Sequence, residues 1–326
     1  MAKKAARTKR TGGGTKRAPR RAPNRRSAAP GKATPATARD WIGGARLRTL
    51  PLAVAPVLAG SGASVVALGD HQLHWLRALA CLAVAVCLQI GVNFANDYSD
   101  GIRGTDAYRQ GPSRLTGSGR AKPRTVLIVA LAFFALAALV GLALVVRTQH
   151  WWMLAVGAAA IVAAWFYTGG KRPYGYHALG EVFVFVFFGL VATAGTQFML
   201  AGTVSAEGWL AAVAVGLVAT AVLVANNLRD REQDAVAGKR TLSVLIGDRP
   251  SRVLFCLLLV PPFAIVWFFG LVYPLAWLGW FALLAAIPAA LIVLTGRTPR
   301  ELVLALGLTS LTALLLGAAL GVAFGV

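Results

Sequence analysis

The sequence predicts an all-α integral membrane protein of about nine transmembrane helices, preceded by a disordered basic tail. Three observations carry this reading. Hydrophobic residues fill 57% of the 326 positions and charged residues only 14%, against roughly 25% charged residues in soluble domains. Nine apolar runs have about the 20-residue length needed to cross a hydrocarbon core. Once those runs are counted as crossings, the positive charges between them fall almost entirely on one side.

Taken in order, residues 1–48 hold 15 of the 33 Lys and Arg and a single acid, Asp40, so they supply +14 of the formal +21. Segment 1–45 is rich in Ala, Pro, Gly and Thr, with too few large apolar side chains to offset the entropy of ordering. It reads as a tail that docks on anionic lipid at about 1 kcal/mol per basic residue, touches phosphate without sequence preference, or stays solvated and sets orientation. No specific nucleic-acid partner is expected. No short apolar segment with a small-residue cleavage site follows the charges, so it is not a signal peptide.

Residues 46–326 form the membrane domain, with spans over 50–69, 76–96, 125–146, 151–168, 179–201, 208–228, 252–272, 275–294 and 301–325. With the tail in the cytoplasm, loops 97–124, 169–178, 229–251 and 297–300 share its face and the C-terminus lies outside. Of the 18 Lys and Arg after residue 48, only Arg77 and Arg147 fall on the outer side, as the positive-inside rule requires of a multi-pass plasma-membrane protein. Cys81, Cys87 and Cys256 sit in apolar runs without metal or disulfide spacing and are expected to pack.

The acids are more informative, because only 12 exist and seven lie in two loops. Asp97, Asp100 and Asp106 follow the second span; Asp230, Glu232, Asp234 and Asp248 follow the sixth, on the same predicted face. Asn93, Asn96, Asp97 and Asp100 recur at i, i+3, i+4 and i+7, so a helical continuation of span two gathers them on one face. Asn226, Asn227, Asp230 and Asp234 repeat the pattern on span six. Carboxylate and amide oxygens without His or Cys select a hard cation such as Mg²⁺, which usually completes its octahedron with substrate phosphate. The neighbouring cations Arg103, Arg114, Lys239 and Arg240 can clamp a diphosphate. The competing readings are a loop salt-bridge network for the acids and orientation alone for the basic residues.

These residues resemble the UbiA-type intramembrane aromatic prenyltransferases, and within them the branch that acts on 1,4-dihydroxy-2-naphthoate in menaquinone synthesis. The first motif reads NDYSDGIRGTD (residues 96–106) and the second DREQDAVAGKRT (residues 230–241). The broader superfamily places its last Asp four residues after the middle one; here Gly104 stands there and the acid is Asp106, as in the naphthoate branch. Further matches are RLRTLP (46–51), YTGGKRPY (167–174) and LGE (179–181). The resemblance covers nearly everything after residue 45. It implies helices bundled around an intramembrane active site, with Asn96, Asp100, Asp230 and Asp234 as the leading Mg²⁺ ligands and Asp97 and Asp106 as ligands or their neighbours. Asp100, Asp230, Lys171 and Arg114 are the catalytic candidates. Arg103, Arg114, Lys171, Arg172, Lys239 and Arg240 are the candidates for binding diphosphate.

The implied reaction moves a polyprenyl group from polyprenyl diphosphate to 1,4-dihydroxy-2-naphthoate with decarboxylation, giving demethylmenaquinone, diphosphate and CO₂. Rival readings keep the motifs and change the acceptor to 4-hydroxybenzoate, homogentisate, haem, chlorophyllide or a phosphosugar, or make the chain a transporter. A transporter site belongs near the bilayer midplane on broken helices, whereas these acids lie at a loop face. Glu181, just inside an apolar span, requires a partner. Gln89 and Gln197, isolated amides within spans, either face the aromatic substrate or bond neighbouring helices. The aromatic sets Phe183, Phe185, Phe187, Phe188 and Trp165, Phe166, Tyr167 either line a prenyl tunnel or pack.

Overall fold

Hydrocarbon offers no partners to backbone N–H and C=O groups, so an apolar run must close its hydrogen bonds internally, as a helix. A computed structural model describes Met1 and residues 34–69, 72–105 and 114–326; Asp106 and most of the basic tail lie outside the described residues. After a short helix α1 (Ala38–Gly44) come α2 (Pro51–Leu68), α3 (Trp75–Arg103), α4 (Pro123–Thr148) and α5 (Met153–Phe166). There follow α6 (Gly180–Ala201), α7 (Ala206–Val236), the short α8 (Leu242–Ile246), α9 (Asp248–Gly270), α10 (Pro274–Thr295) and α11 (Pro299–Gly325).

Among the described residues, eight helices are long and apolar enough to cross a membrane: α2, α3, α4, α6, α7, α9, α10 and α11. The remaining predicted span, 151–168, forms the 14-residue α5, about 21 Å at 1.5 Å per residue and short of a hydrocarbon core of roughly 30 Å. It still returns the chain to the end from which α4 departed, because Thr168, just beyond α5, donates its hydroxyl to Asn96 Oδ1 on α3 at 2.7 Å.

Two motif-bearing helices run past their expected ends. Asn93, Asn96, Asp97 and Asp100 all lie on α3, and Asn226 to Asp234 on α7, so the predicted helical faces exist. Ordered structure also reaches into the segment read as tail. Thr37 and Asp40 form a capping box on α1, Asp40 Oδ1 accepts from Arg120 Nη1 at 2.6 Å, and Ala36 N–H donates to Arg120 O at 3.0 Å.

Lipid gives helices little hydrophobic reason to associate, so close backbone packing of small residues takes over. Helices α2 and α11 show it: a Cβ on Gly317 would meet Ala55 O at 2.4 Å, and one on Gly62 would meet Gly321 O at 2.1 Å. Around this pair, α7 and α9 to α11 bury Ala, Val, Leu and Phe in the main core. A second cluster of Phe94, Leu115, Val126 and Phe134 packs the motif end of α3 against α4 and the loop between them. Cys81 and Cys87 are buried, and all three cysteines are free thiols.

Candidate active site

The periodicity of α3 sets the first wall. Residues 89, 93, 96 and 100 recur at i, i+4, i+7 and i+11, and all four line one cavity of about 480 Å³. Asp230 and Asn226 of α7 and Lys239 just beyond it line the same cavity, so the two acidic motifs meet there. Most of the remaining wall is apolar and aromatic, with Phe183, Phe187 and Phe188 from α6 and Tyr174 from the loop before it. A π-helical segment, Phe185–Val191, interrupts α6 at this level.

Asp100 is 4% exposed and Asp230 6%, and burial of that degree demands compensation for the charge. Asp100 Oδ2 accepts from Arg114 Nη1 at 3.0 Å and Oδ1 from the Tyr176 hydroxyl at 2.9 Å. Asp230 takes Arg229 Nε at 2.7 Å on Oδ1 and Nη2 at 2.5 Å on Oδ2. Asp234 pairs with Lys239 Nζ at 3.5 Å.

Other candidates have different work. Asp97 accepts the backbone N–H groups of Leu115 and Thr116, both at 2.9 Å, and so pins the loop carrying Arg114 instead of facing the cavity. Arg103 donates to the carbonyls of Thr168 and Gly170, clamping the 167–176 loop. Lys171 and Arg172 are exposed and line no part of the cavity. The turn that carries them, with Gly170 at φ +74°, is held to α3 by its carbonyls, which points its basic side chains away. Arg240 is likewise exposed, and its backbone N–H donates to Tyr176 O at 3.0 Å.

Tyr176 was not singled out by the sequence, yet it joins these parts. Besides its bond to Asp100, its ring carries Arg103 Cζ at 5.3 Å and Lys239 Nζ at 5.4 Å from the centroid, a cation–π arrangement that ties both motifs to one side chain. Burial, with the Asp100 charge beside it, pushes the phenol up to about 12, which keeps it a hydrogen-bond donor. Arg229, one of the basic residues the sequence places beside the second motif, is bonded to Asp230 and to Asn226 Oδ1 at 2.9 Å.

Glu181 finds its partner in Asn227, whose Nδ2 donates to Oε1 at 2.9 Å across α6 and α7. Gln197 bonds between helices, to Ala63 O at 3.0 Å and Ser205 Oγ at 2.9 Å, while Gln89 lines the cavity. Of the aromatic sets, Tyr167 joins Phe183, Phe187 and Phe188 at the cavity, and Phe185 packs against Gly216.

The donor set fits a hard divalent cation. Asn96, Asp100 and Asp230 offer oxygen only, and among the described residues no three His, Cys, Asp or Glu side chains lie close enough to form a closed metal cage. An open set of one or two carboxylates, completed by water and phosphate oxygens, is the arrangement Mg²⁺ favours. The cations paired with Asp100 and Asp234, Arg114 and Lys239, both reach the cavity, where diphosphate oxygens can compete for them.

Residues 53–301 match the model of the UbiA prenyltransferase family. The chain is 49% identical over 288 residues, 88% of its length and 97% of the relative's, to a 1,4-dihydroxy-2-naphthoate octaprenyltransferase of Mycobacterium tuberculosis. It is 39% identical to the Escherichia coli protein of the same name, covering 76% of this chain and 81% of that one. Among solved structures, a UbiA homolog from Archaeoglobus fulgidus bound to DMAPP and Mg²⁺ shares the fold at a TM-score of 0.61 and 14% identity, covering 86% of this chain and 98% of that one. A homolog from Aeropyrum pernix does so at 0.60 and 18%, covering 81% and 96%. With two acidic motifs meeting in one cavity of a helical membrane fold, and a family match across most of its length, this chain belongs to the UbiA prenyltransferase family.

Proposed function

We propose that the chain transfers a polyprenyl group from polyprenyl diphosphate to 1,4-dihydroxy-2-naphthoate with loss of CO₂. The observation that carries this reading is the shared cavity, where Asn96 and Asp100 of one motif and Asp230 and Lys239 of the other face the same space beside an apolar, aromatic wall. Such a space suits a ligand that is a polyanion at one end and a hydrocarbon at the other. The acceptor rests on the names of the relatives, which span nearly the whole membrane domain.

In this mechanism Arg114 and Lys239 exchange their carboxylate partners for diphosphate oxygens, while Asn96 and Asp100 of the first motif and Asp230 and Asp234 of the second would hold Mg²⁺. Mg²⁺, when bound, neutralises charge on the diphosphate and makes it a better leaving group. The allylic C–O bond breaks with its electron pair on diphosphate, and the ring carbon bearing the carboxylate bonds to the prenyl C1. Loss of CO₂ leaves its bonding pair in the ring and restores aromaticity. No proton or oxidant enters that balance, so the immediate product is the quinol form of demethylmenaquinone. Phe183, Phe187 and Tyr174 keep water from the cationic carbon and present π faces to it.

The charge asymmetry supports an orientation with the N-terminus and both motifs in the cytoplasm and the C-terminus outside. Chemistry then belongs to residues 46–326, and the basic segment 1–45 to the cytoplasmic lipid surface. The test is an acceptor panel: membranes containing the chain, labelled polyprenyl diphosphate, and Mg²⁺ or excess EDTA. Metal-dependent prenylation of 1,4-dihydroxy-2-naphthoate with CO₂ release is expected. Prenylation of a different aromatic acceptor alone overturns the acceptor assignment.

A further inference from the structure

The cavity does not end beside the acids. Its lining continues along α3 from Asp100 back to Cys81 and along α6 from Phe183 to Met199. Beyond the level of Gln89 the lining side chains that carry a heteroatom other than a thioether are Cys81 and Thr196, whose hydroxyl is spent on Ala192 O at 2.7 Å. Two glycines, Gly141 of α4 and Gly195 of α6, line this far stretch. Gly195 lies about 18 Å along the helix axis from Phe183, at 1.5 Å per residue. Glycine in a membrane helix commonly marks the close approach of two backbones. Gly60, Gly62, Gly189 and Gly317 do so, since a Cβ on any of them would fall 2.1 to 2.4 Å from a backbone atom. Gly141 and Gly195 serve no such contact: the nearest atom to an added Cβ is Val84 Cγ2 at 3.9 Å for the first and Met153 Cε at 3.8 Å for the second. Both of those side chains line the cavity, so each Cβ would stand inside it. Neither glycine has a positive φ, so neither backbone requires glycine, and both helices would gain from a side chain there.

What the two positions provide is clearance, at a depth that only one part of the substrates reaches. The bond broken and the bond formed are both at prenyl C1, so the diphosphate and the aromatic ring stay at the acidic end and the tail alone extends to Gly141 and Gly195. A geranyl tail stops short of that depth, whereas a polyprenyl tail has to pass it. We propose that Gly141 and Gly195 are specificity-determining residues for prenyl chain length, admitting long tails because no side chain blocks the far stretch. The inference rests on the function proposed above and adds to it the residues that select the donor.

The experiment compares octaprenyl diphosphate with geranyl diphosphate as donors to 1,4-dihydroxy-2-naphthoate, in membranes of the wild type, Gly141→Leu, Gly195→Leu and the control Gly307→Leu. Gly307 also has nothing within 4 Å of an added Cβ but lies outside the cavity. The wild type is expected to use both donors. In Gly141→Leu and Gly195→Leu, kcat/KM for octaprenyl diphosphate falls at least about tenfold, while kcat/KM for geranyl diphosphate and KM for the naphthoate stay at wild-type values. Gly307→Leu keeps the wild-type ratio of the two donors. Gly141→Ala and Gly195→Ala replace the leucine variants if those fail to accumulate, with a smaller loss confined to the long donor. Equal losses on both donors, no loss in either cavity variant, the same selective loss in Gly307→Leu, or refusal of geranyl diphosphate by the wild type overturns the proposal while the proposed function stands. Failure of the wild type to prenylate the naphthoate with octaprenyl diphosphate overturns the reading beneath it, and the inference with it.

Discussion

The Tyr176 hydroxyl donates to Asp100 Oδ1 at 2.9 Å across 76 positions of sequence, while its ring seats Arg103 from the first motif and Lys239 from the second. A metal-binding carboxylate oriented in this way loses roughly 10–100-fold in metal affinity or activity when its hydrogen-bond partner is removed. Tyr176→Phe keeps the cation platform and removes only the hydroxyl. Its apparent Mg²⁺ affinity, measured by titrating turnover, is expected to fall within that range. Tyr176→Ala should also lose affinity for polyprenyl diphosphate, because Lys239 loses its seat. Wild-type Mg²⁺ dependence in Tyr176→Phe would show that the hydroxyl does no positioning.

Asp97 separates structural from chemical acids. Removing its carboxylate in Asp97→Ala strands the N–H groups of Leu115 and Thr116, at about 1–3 kcal/mol for each buried group left unpaired. Thermal unfolding in detergent should show lower stability, with the Mg²⁺ dependence of the remaining activity unaltered. A weaker Mg²⁺ response at full stability would instead make Asp97 a ligand.

The α2–α11 contact gives a packing prediction. Gly317→Val forces a side chain onto Ala55 O, and overpacking of this kind costs about 1–3 kcal/mol or more. Gly307→Ala, on the same helix, meets nothing within 4 Å. The valine variant should unfold at lower temperature and accumulate poorly, while the alanine variant behaves as wild type.

Asp40 supplies a pH dependence. Hydrogen bonds from the Thr37 backbone and hydroxyl, helped by Arg120, hold its carboxyl below the ordinary 3.8. A lowered folded-state value means that the docking of α1 is fully supported above about pH 4 and is lost as pH falls through the lowered value. The protection factors of residues 36–44 and 115–121, which remove the intrinsic pH dependence of amide exchange, should be unchanged from pH 7 to 5 and fall relative to those of the core below about 3.8. Asp40→Asn should remove that pH response.

Much of this site was legible because helical periodicity is strong where the acids lie. Asn96, Asp100 and Asp230 share a cavity as their spacing predicted. One step along a helix turns a side chain by about 100°, so Asp97, adjacent to Asn96, faces a different neighbour. Tyr176 carries no such signal: it is one aromatic in a loop, and its partners lie far away in the chain. Lys171 and Arg172 read as phosphate ligands from their glycine turn, but nothing in sequence shows that Arg103 claims that turn through its carbonyls. Length alone overstates α5, since run 151–168 spends its first two and last two residues outside the helix.

In the proposed mechanism, carboxylates from both motifs act on one bound diphosphate. The most direct test is single-turnover release of diphosphate from labelled polyprenyl diphosphate by Asp100→Ala and Asp230→Ala, each checked for wild-type levels of folded protein in the membrane. Loss of release by at least about a thousandfold in both variants is expected. Wild-type release in either, from a folded protein, contradicts that mechanism.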